Sequence, residues 1–377
     1  MIILNEKKIA ENIEKRIGDD VSSGRVGGAS VLVKQSGKVI YRACFGNAEE
    51  GKAITEDSIF RLASMTKPIT AVAVMKQVDR GLVSLDDTLD KFLPEYSDME
   101  IGKVVDGKIV IDRPAQNKIK ILHLLTHSSG IGCGEVGNLL TLSCVKDEGV
   151  DLEKVVNEHA KKPISFEPYT AQAYSATAGF DILARVVEIT SGMPFDSFLK
   201  KEIFEPLGMC DTTFTPLESQ WDRTVRMHRF ENGEAFYEPQ DRHHIFGRFP
   251  LTYFCGGAGL VSTVSDYEKF ADMLLAEGKT RDHRTILSEE TVRLMRTPAV
   301  PESIMPKPQR WGLSMRVITE PRYRRLPVGS FGWSGAYGAH FWVDPENEVI
   351  GIYMKNSRYD GGSEALTAAN FEKDVYL

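Results

Sequence analysis

The stretch "RLASMTKPIT" (residues 61–70) carries a serine and a lysine three positions apart, Ser64 and Lys67. The preceding letters "SIFRLA" are typical of extended chain, and residues 66–80 predict a helix with Pro68 in its first turn. The two side chains therefore lie on one face where the helix begins. A hydroxyl at this place can act as a nucleophile, because the unpaired N–H groups of the first turn can stabilise an oxyanion.

The Ser-x-x-Lys spacing is not specific by itself, because it occurs three times in the chain. Ser197 and Lys200 lie in a helical segment whose phenylalanines supply the buried stripe, so both belong to a solvated face. Ser143 and Lys146 lie beside an acidic loop that would keep the lysine charged. In the first pair, a lysine shielded from water can lose its proton and then accept the serine's. The alternative is that Ser64 or Thr66 is only a helix N-cap.

Length and composition predict two packed domains or one large two-lobed unit. The chain has 377 residues, of which 42% are hydrophobic and 26% charged, as in ordinary globular proteins. The net charge is −7, with both signs interspersed. That balance argues against nucleic acid as a partner and against a polybasic membrane surface. The oligomeric state stays open.

The cysteines and the N-terminus bear on the compartment. Five widely spaced cysteines without a C-x-x-C argue against a disulfide framework and a zinc ribbon. Residues 1–17 contain only a four-residue apolar run before charges begin, which does not resemble a signal peptide. No run approaches the 18 apolar residues of a membrane span. We therefore expect a cytoplasmic protein.

Patterns along the chain predict an α+β fold. Residues 5–19 have the apolar spacing of an amphipathic helix, and a hairpin follows around Gly37. Short alternating runs return near the C-terminus and fit an antiparallel meander with a closing helix. Helical patterns dominate between them. The sequence thus predicts a discontinuous α/β sheet domain of residues 1–81 and 251–377, with a mostly helical domain, 82–250, inserted.

Five ordered blocks resemble a known family. They are "FRLASMTKPITAVAVMKQVDRGLVSLDD", "KIKILHLLTHSSG", "YSATAGFDILARVVEITSGMPF", "GGAGLVSTVSDYEKF" and "FGWSGAYGAHFWVDPENEVIGIYM". Over about residues 25–356, their order resembles the serine β-lactamase-like hydrolases. This group contains class C β-lactamases, low-molecular-weight penicillin-binding proteins, family VIII carboxylesterases and related acyltransferases. The resemblance implies a β-lactamase/transpeptidase-like fold, with an antiparallel sheet flanked by helices, and a serine hydrolase.

The resemblance also implies three catalytic residues. Ser64 matches the serine that is acylated, and Lys67 matches the lysine of the same motif. Tyr174, in "AYSA", matches the tyrosine of the family's Tyr-x-Asn element and would act as a general base beside the lysine. Which of the two takes the first proton stays open, because coupled groups share their titration. Outside a catalytic role, Tyr174 would be a half-buried loop tyrosine.

A second set of residues falls where the family has Lys-Thr-Gly on a strand beside the serine: Trp333, Ser334 and Gly335. The backbone N–H of Ala336 would complete the oxyanion hole with that of the nucleophile. The glycines on both sides of the Trp-Ser pair, of which Gly332 is the first, indicate a close approach of backbone to a ligand. Tyr337 would either line the pocket or pack in the core.

Two departures from the family's elements bear on the substrate. Ala176 stands where asparagine is usual and offers no side-chain hydrogen bond, and Trp333 replaces a lysine with an apolar wall and one donor. A charged partner for a substrate carboxylate is thereby lost, although Arg358 could supply one if its strand end turns inward. We expect a carboxylesterase for small or medium uncharged esters, which needs neither a metal nor an organic cofactor.

Alternatives remain within and outside this chemistry. A β-lactamase, a D-amino-acid peptidase acting on amides, or an acyltransferase of the same fold would use the same residues. A non-catalytic binding protein would not require the serine, lysine and tyrosine together. The chain has no Gly-x-Ser-x-Gly elbow, which disfavours an α/β-hydrolase. His123 and His127 lack a neighbouring glutamate and a third ligand, so packing is favoured over a metal site.

Overall fold

The computed structural model describes residues 2–239, 243–244, 247–248, 252–305, 308–321, 326–362 and 365–376. Its helices are α1 (Glu6–Ser22), α2 (Thr66–Asp79), α3 (Ile121–Leu125), α4 (Gly134–Leu139), α5 (Leu152–Ala160), α6 (Ala178–Ser191), α7 (Phe195–Leu199), α8 (Glu205–Leu207), α9 (Val264–Leu275), α10 (Glu289–Met295) and α11 (Leu366–Val375). Its strands are β1 (Gly28–Gln35), β2 (Lys38–Glu49), β3 (Lys52–Ala53), β4 (Phe60–Arg61), β5 (Glu100–Val105), β6 (Lys108–Pro114), β7 (His228–Glu231), β8 (Glu234–Tyr237), β9 (His243–His244), β10 (Gly247–Arg248), β11 (Val261–Ser262), β12 (Gln309–Trp311), β13 (Arg316–Ile318), β14 (Phe331–Ser334), β15 (His340–Asp344) and β16 (Val349–Lys355).

An eight-stranded sheet forms the centre of the fold. Its strand order is β12-β13-β14-β15-β16-β1-β2-β3, and every neighbouring pair is antiparallel. Strand β1 lies between β16 and β2, so the sheet joins strands from both ends of the described chain. The antiparallel sheet that the sequence predicts is confirmed.

Helices α1 and α11 cover one face of this sheet. The helix predicted over residues 5–19 is α1, which continues to Ser22. Its apolar stripe packs against sheet and α11 residues such as Trp342 and Phe371. Arg16 holds the two helices together, because its Nε and Nη2 donate to the carboxylate of Asp374 at 2.6 and 2.7 Å. In the described ranges no helix is both long and apolar enough to cross a bilayer.

The other face of the sheet packs against α9, and α2 lies at the centre of the larger core, in contact with α6. Helix α2 matches the predicted residues 66–80 within one position, and it is buried on nearly all sides because its sequence is apolar all round.

Most of the remaining helices, α3 to α8, follow α2 in the chain and form the mostly helical part. Within this part, β5 and β6 pair as an antiparallel hairpin. The domain bounds at 81 and 251 stay a prediction.

A short strand pair follows the helical part. His243 and His244 form strand β9, which pairs with β10.

Candidate active site

Ser64 lies in a 3₁₀ turn, Ala63–Met65, that runs directly into α2. Strand β4 precedes this turn and pairs with β11, so both flanks of the serine are fixed. Ala63 has a φ of +45°, a left-handed conformation that is uncommon outside glycine and that the flanking structure must hold in place. Leu62 and Met65 occupy the N-cap positions of the turn and of α2. Neither Ser64 nor Thr66 is therefore an N-cap, and that alternative is excluded.

Lys67 is fully buried one helical turn beyond Ser64. Its Nζ lies 3.2 Å from Ser64 Oγ, 2.6 Å from the carbonyl oxygen of Ala176 and 2.8 Å from that of Gly257. The two carbonyl oxygens can accept two of the nitrogen's protons, which leaves its remaining position facing the serine hydroxyl. Although Ala176 lacks the family's asparagine side chain, its backbone contributes one of the three contacts. The arrangement fixes the lysine nitrogen against the serine hydroxyl.

Tyr174 stands beside this pair and is 36% exposed. The face of its ring covers Lys67, with the Nζ 4.9 Å from the ring centroid, at a distance where a cation is attracted to the ring. Its Oη accepts a hydrogen bond from Trp333 Nε1 at 3.3 Å. The tyrosine thus contacts the lysine through its ring, while its oxygen is held at the surface of the site by the tryptophan.

An aromatic wall supports Tyr174. Trp311 and Trp333 lie 4.5 Å apart between ring centroids, and His127 lies 4.5 Å from Tyr174 and 4.6 Å from Trp311. His127 Nδ1 accepts a hydrogen bond from the backbone N–H of Ser175, next to the tyrosine. Burial, together with the charge of the nearby lysine, holds the pKa of His127 well below its usual value. His127 therefore packs beneath Tyr174 as a neutral ring, in keeping with the packing role favoured from the sequence.

A buried carboxyl group stands behind Lys67. Asp181, in α6, accepts hydrogen bonds from the Tyr253 hydroxyl and, at 3.3 Å, from the N–H of Gly257, whose carbonyl contacts Lys67. Burial raises the pKa of Asp181 to about 6, although Tyr253, Cys255, Gly257 and Lys67 all oppose that rise. Asp181 thus fastens the loop that holds the lysine.

The glycines of the strand motif serve close contacts between backbone segments. A Cβ on Gly335 would lie 2.2 Å from the carbonyl oxygen of Leu62, just before the nucleophile turn, and one on Gly332 would lie 2.1 Å from that of Phe341 in β15. The sequence leads us to expect that these glycines make room for a ligand. The structure shows instead that neighbouring backbone fills the space where their side chains would stand. Their absent side chains let β14 approach the turn that carries Ser64.

A cavity of about 360 Å³ opens over the serine. Its walls combine aromatic, polar and small residues: Ser64, Gln172, Tyr174, Met305, Gln309, Trp311, Arg316, Trp333, Ser334, Ala336 and Gly362. Of the residues predicted from sequence, Ser64, Tyr174, Trp333, Ser334 and Ala336 thus share one cavity, with Lys67 beneath it.

Of the other residues predicted from the sequence, Gly335, Tyr337 and Arg358 do not line this cavity. Tyr337 is buried and packs with Ala63 and Met227, so the core-packing alternative describes it. Arg358 lies with its guanidinium 5.0 Å from the centroid of the Tyr337 ring and does not line the cavity.

A cation at the cavity comes from a residue that sequence reasoning missed. Arg316, in β13, lines the cavity and is paired in register with Gly332. Its Nη2 donates to Glu372 Oε1 of α11 at 2.7 Å, and both side chains are almost fully buried. Burial alone raises the pKa of Glu372, but the hydrogen bond from His340 and the charge of Arg316 outweigh it and hold that pKa at about 2. The guanidinium therefore faces an ionised partner.

Comparisons with known proteins agree with this architecture. The family model described as Beta-lactamase matches residues 10–372. Protein Rv1367c of Mycobacterium tuberculosis is 30% identical over 88% of this chain and 86% of its own length. Esterase EstB of Burkholderia gladioli is 29% identical over 97% of this chain and 95% of its own.

A solved structure extends the agreement to the fold. EstCE1, described as a hydrolase with promiscuous acyltransferase activity, aligns with a TM-score of 0.82 over 99% of both chains, at 23% identity. That likeness confirms the β-lactamase/transpeptidase-like fold. Together with the family match over most of the sequence, it establishes that the chain belongs to the beta-lactamase family and is a serine hydrolase.

Proposed function

We propose that the chain is a carboxylesterase that forms an acyl-enzyme at Ser64 and acts on small or medium uncharged esters. The observation that carries the proposal is the contact between Lys67 Nζ and Ser64 Oγ at the floor of the cavity. A nucleophile within hydrogen-bond reach of a proton acceptor is the arrangement that covalent catalysis requires. The likeness to esterase EstB supports ester cleavage in particular.

In the proposed acylation step, Ser64 Oγ attacks the ester carbonyl and gives its proton to Lys67 or to Tyr174. The backbone N–H groups of Ser64 and Ala336 hold the oxyanion that develops. The leaving alcohol takes a proton from the same pair of bases. Water then attacks the acyl-enzyme and loses a proton to that pair, which passes the proton to Ser64 Oγ as the acid is released. Tyr174 suits exchange with alcohol and water because it lines the cavity and is partly exposed, while Lys67 is fully buried.

The charge balance of the cavity supports an uncharged substrate. Arg316 is neutralised by the ionised carboxylate of Glu372, and two tryptophans form much of the wall. A substrate carboxylate would have to compete with Glu372 for the guanidinium. The same charge balance disfavours β-lactams and D-amino-acid substrates that carry a carboxylate. We further propose that the reaction takes place in the cytoplasm.

The test is intact-mass analysis during turnover of p-nitrophenyl butyrate, with product release followed in parallel. The wild type should gain the mass of one butyryl group, and Ser64→Ala should lose the adduct and slow release by about 10³-fold or more. Ser197→Ala is the matched control, since it removes the serine of another Ser-x-x-Lys pair and should retain both signals. Release that persists in Ser64→Ala would reject Ser64 as the nucleophile. No adduct and no release in the wild type, with no labelling by a fluorophosphonate, would favour a binding protein.

A further inference from the structure

Three buried polar side chains form a line that ends at the cavity. Ser334 Oγ lies 2.7 Å from His340 Nδ1, and His340 Nε2 lies 3.0 Å from Glu372 Oε1. The three residues come from β14, β15 and α11, and each is at most 3% exposed. Arg316 contacts the same Glu372 oxygen. Of the four, Ser334 and Arg316 line the cavity, so one carboxylate on the last helix contacts or orients two cavity groups.

The positions of the protons in this cluster follow from the charge of Glu372. An ionised carboxylate only accepts, so the proton between it and His340 belongs to the histidine Nε2. Arg316 already balances the carboxylate, and a neutral imidazole leaves the buried cluster without net charge, as burial favours. Nδ1 is then an acceptor, so the Ser334 hydroxyl must donate to it. The lone pairs of Ser334 Oγ are then left for another donor, and Ser334 lines the cavity.

We propose that Glu372, acting through His340, fixes Ser334 as a hydrogen-bond acceptor on the cavity wall, and that this wall selects esters bearing a hydroxyl group. The proposal rests on the proposed esterase function and names the substrate class of that site. Glu372 has two separate effects. Through His340 it orients Ser334 to receive a substrate O–H, and through Arg316 it cancels the cation that would otherwise favour a carboxylate.

A purely structural role is the competing explanation, in which the cluster only fastens α11 to the sheet. That helix is already fastened by Phe371 and Val375 in the core and by the ion pair between Arg16 and Asp374. If the cluster only fastens α11, substitution of its residues should leave the ranking of substrates unchanged. Substrate ranking therefore distinguishes the two explanations.

The first test compares two matched ester series by kcat/KM in a pH-stat assay. One varies the alcohol (2-hydroxyethyl, 2-methoxyethyl and carboxymethyl butyrate), and the other varies the acid (methyl 3-hydroxybutyrate, methyl 3-methoxybutyrate and monomethyl glutarate). In at least one series the hydroxyl ester should exceed its methoxy partner by about 5- to 10-fold, the effect of one neutral hydrogen bond. Equal rates in both series, with turnover still dependent on Ser64, would overturn this inference and leave the esterase proposal standing.

Variants separate the two effects. His340→Leu should abolish the hydroxyl preference and keep the discrimination against the carboxylate. His340→Asn should restore that preference, because its amide oxygen can accept from Ser334. Glu372→Gln should keep the hydroxyl preference and raise the relative rate of the carboxylate ester by about tenfold or more, because Arg316 loses its counter-ion. A thermal melting curve verifies that His340→Leu is folded. If the folded variant ranks the substrates as the wild type does, the cluster only fastens α11 to the sheet and the inference is overturned.

A measurement without turnover tests the geometry directly. The protein is labelled with ¹⁵N-histidine, and the His340 signals are identified in its NMR spectrum by their absence from the spectrum of His340→Asn. These signals should show the neutral tautomer with its proton on Nε2. The proton on Nδ1, or on both nitrogens at neutral pH, would make Ser334 a donor to the cavity and overturn the inference. This result does not depend on whether the protein is an esterase.

Discussion

Tyr174 is the residue where the departures from the family's elements meet. The position two residues later is an alanine, yet its backbone carbonyl holds Lys67 at 2.6 Å. The position that is usually lysine is Trp333, whose indole N–H holds the Tyr174 oxygen. Each departure thus removes a side chain that would contact a substrate and leaves the contacts among the proposed proton-transfer groups in place. This combination fits a site that retains acyl chemistry and has changed its substrate.

Removal of the Tyr174 oxygen is the first residue-scale prediction. Tyr174→Phe should lower kcat for p-nitrophenyl butyrate by about 10²–10⁴-fold, the usual contribution of a proton-transfer group. The ring contacts with Lys67 and Trp333 should survive, so KM should change little. Stopped-flow kinetics of acylation and deacylation measure both steps. Tyr169→Phe is the control, because its hydroxyl bonds to the Ala299 carbonyl and not to the site. Equal losses in both variants would count against a catalytic role.

The polar partners at the cavity show the limit of prediction for single residues. Ser64, Lys67 and Tyr174 lie in segments with a recognisable order, so sequence could nominate them. Arg316 and Glu372 belong to β13 and α11, whose sequences have only ordinary apolar patterns. Their role depends on the contact between them in the folded protein, although they are 56 positions apart in the chain. No local sequence pattern predicts this contact, since it depends on how the strands are ordered in the sheet.

At the scale of elements, the approach of β14 to the nucleophile turn positions the proposed oxyanion hole. Gly335→Ala should force these two segments apart, because its Cβ would meet the Leu62 carbonyl at 2.2 Å. A displacement of about 1 Å can cost about 10²-fold in rate, so we expect a loss of that order in kcat/KM with the fold retained. Circular dichroism tests whether the fold is retained, and ester kinetics measure the loss in kcat/KM.

Gly18→Ala is the matched control for that prediction. Gly18 lies within α1, and nothing lies within 4 Å of the place where a Cβ would stand. Alanine should raise the free energy of unfolding by about 0.5–1 kcal/mol through helix propensity and leave kcat/KM unchanged. Normal activity in Gly335→Ala would show that β14 does not need this close approach.

Elements with strong local patterns were predictable, and those defined by distant partners were not. Helix α2 follows from its uninterrupted apolar run and α1 from its isoleucine spacing, and both match within a few residues. Strand β5 was missed because its letters, "EIGKVV", alternate weakly. It is a strand because β6 pairs with it along its whole length. The left-handed Ala63 is likewise unreadable from sequence, since flanking strands impose its conformation.

For the whole molecule, the buried cluster around Glu372 predicts a loss of stability in acid. Its pKa in the folded protein is about 2, against an ordinary value of 4.5. The unfolded chain therefore binds more protons between these values, so stability rises with pH through that window and is fully present above it. The contribution is roughly 3 kcal/mol at 1.36 kcal/mol per pH unit.

Urea unfolding between pH 4.5 and 2 measures this contribution. The free energy of unfolding should fall more steeply with acid in the wild type than in Glu372→Gln, which has no group to protonate there. Asp181, whose raised pKa acts in the opposite sense between about 4 and 6, is common to both proteins and cancels in the difference. If the free energy of unfolding fell equally with acid in the two proteins, Glu372 would not be ionised in the folded protein as assigned.

The position of β1 between β16 and β2 has a consequence for biosynthesis. Gly28 at the start of β1 donates to the side chain of Asn356, just beyond β16, and the two are 328 positions apart. A ribosome delivers β1 and β2 early, but the other edge of β1 must wait until β16, more than 300 residues later, has been made. Until then that edge is an open template for other strands. The nascent chain should therefore depend on holding factors, and the nucleophile turn should acquire its final shape only after the later strands of the sheet have emerged.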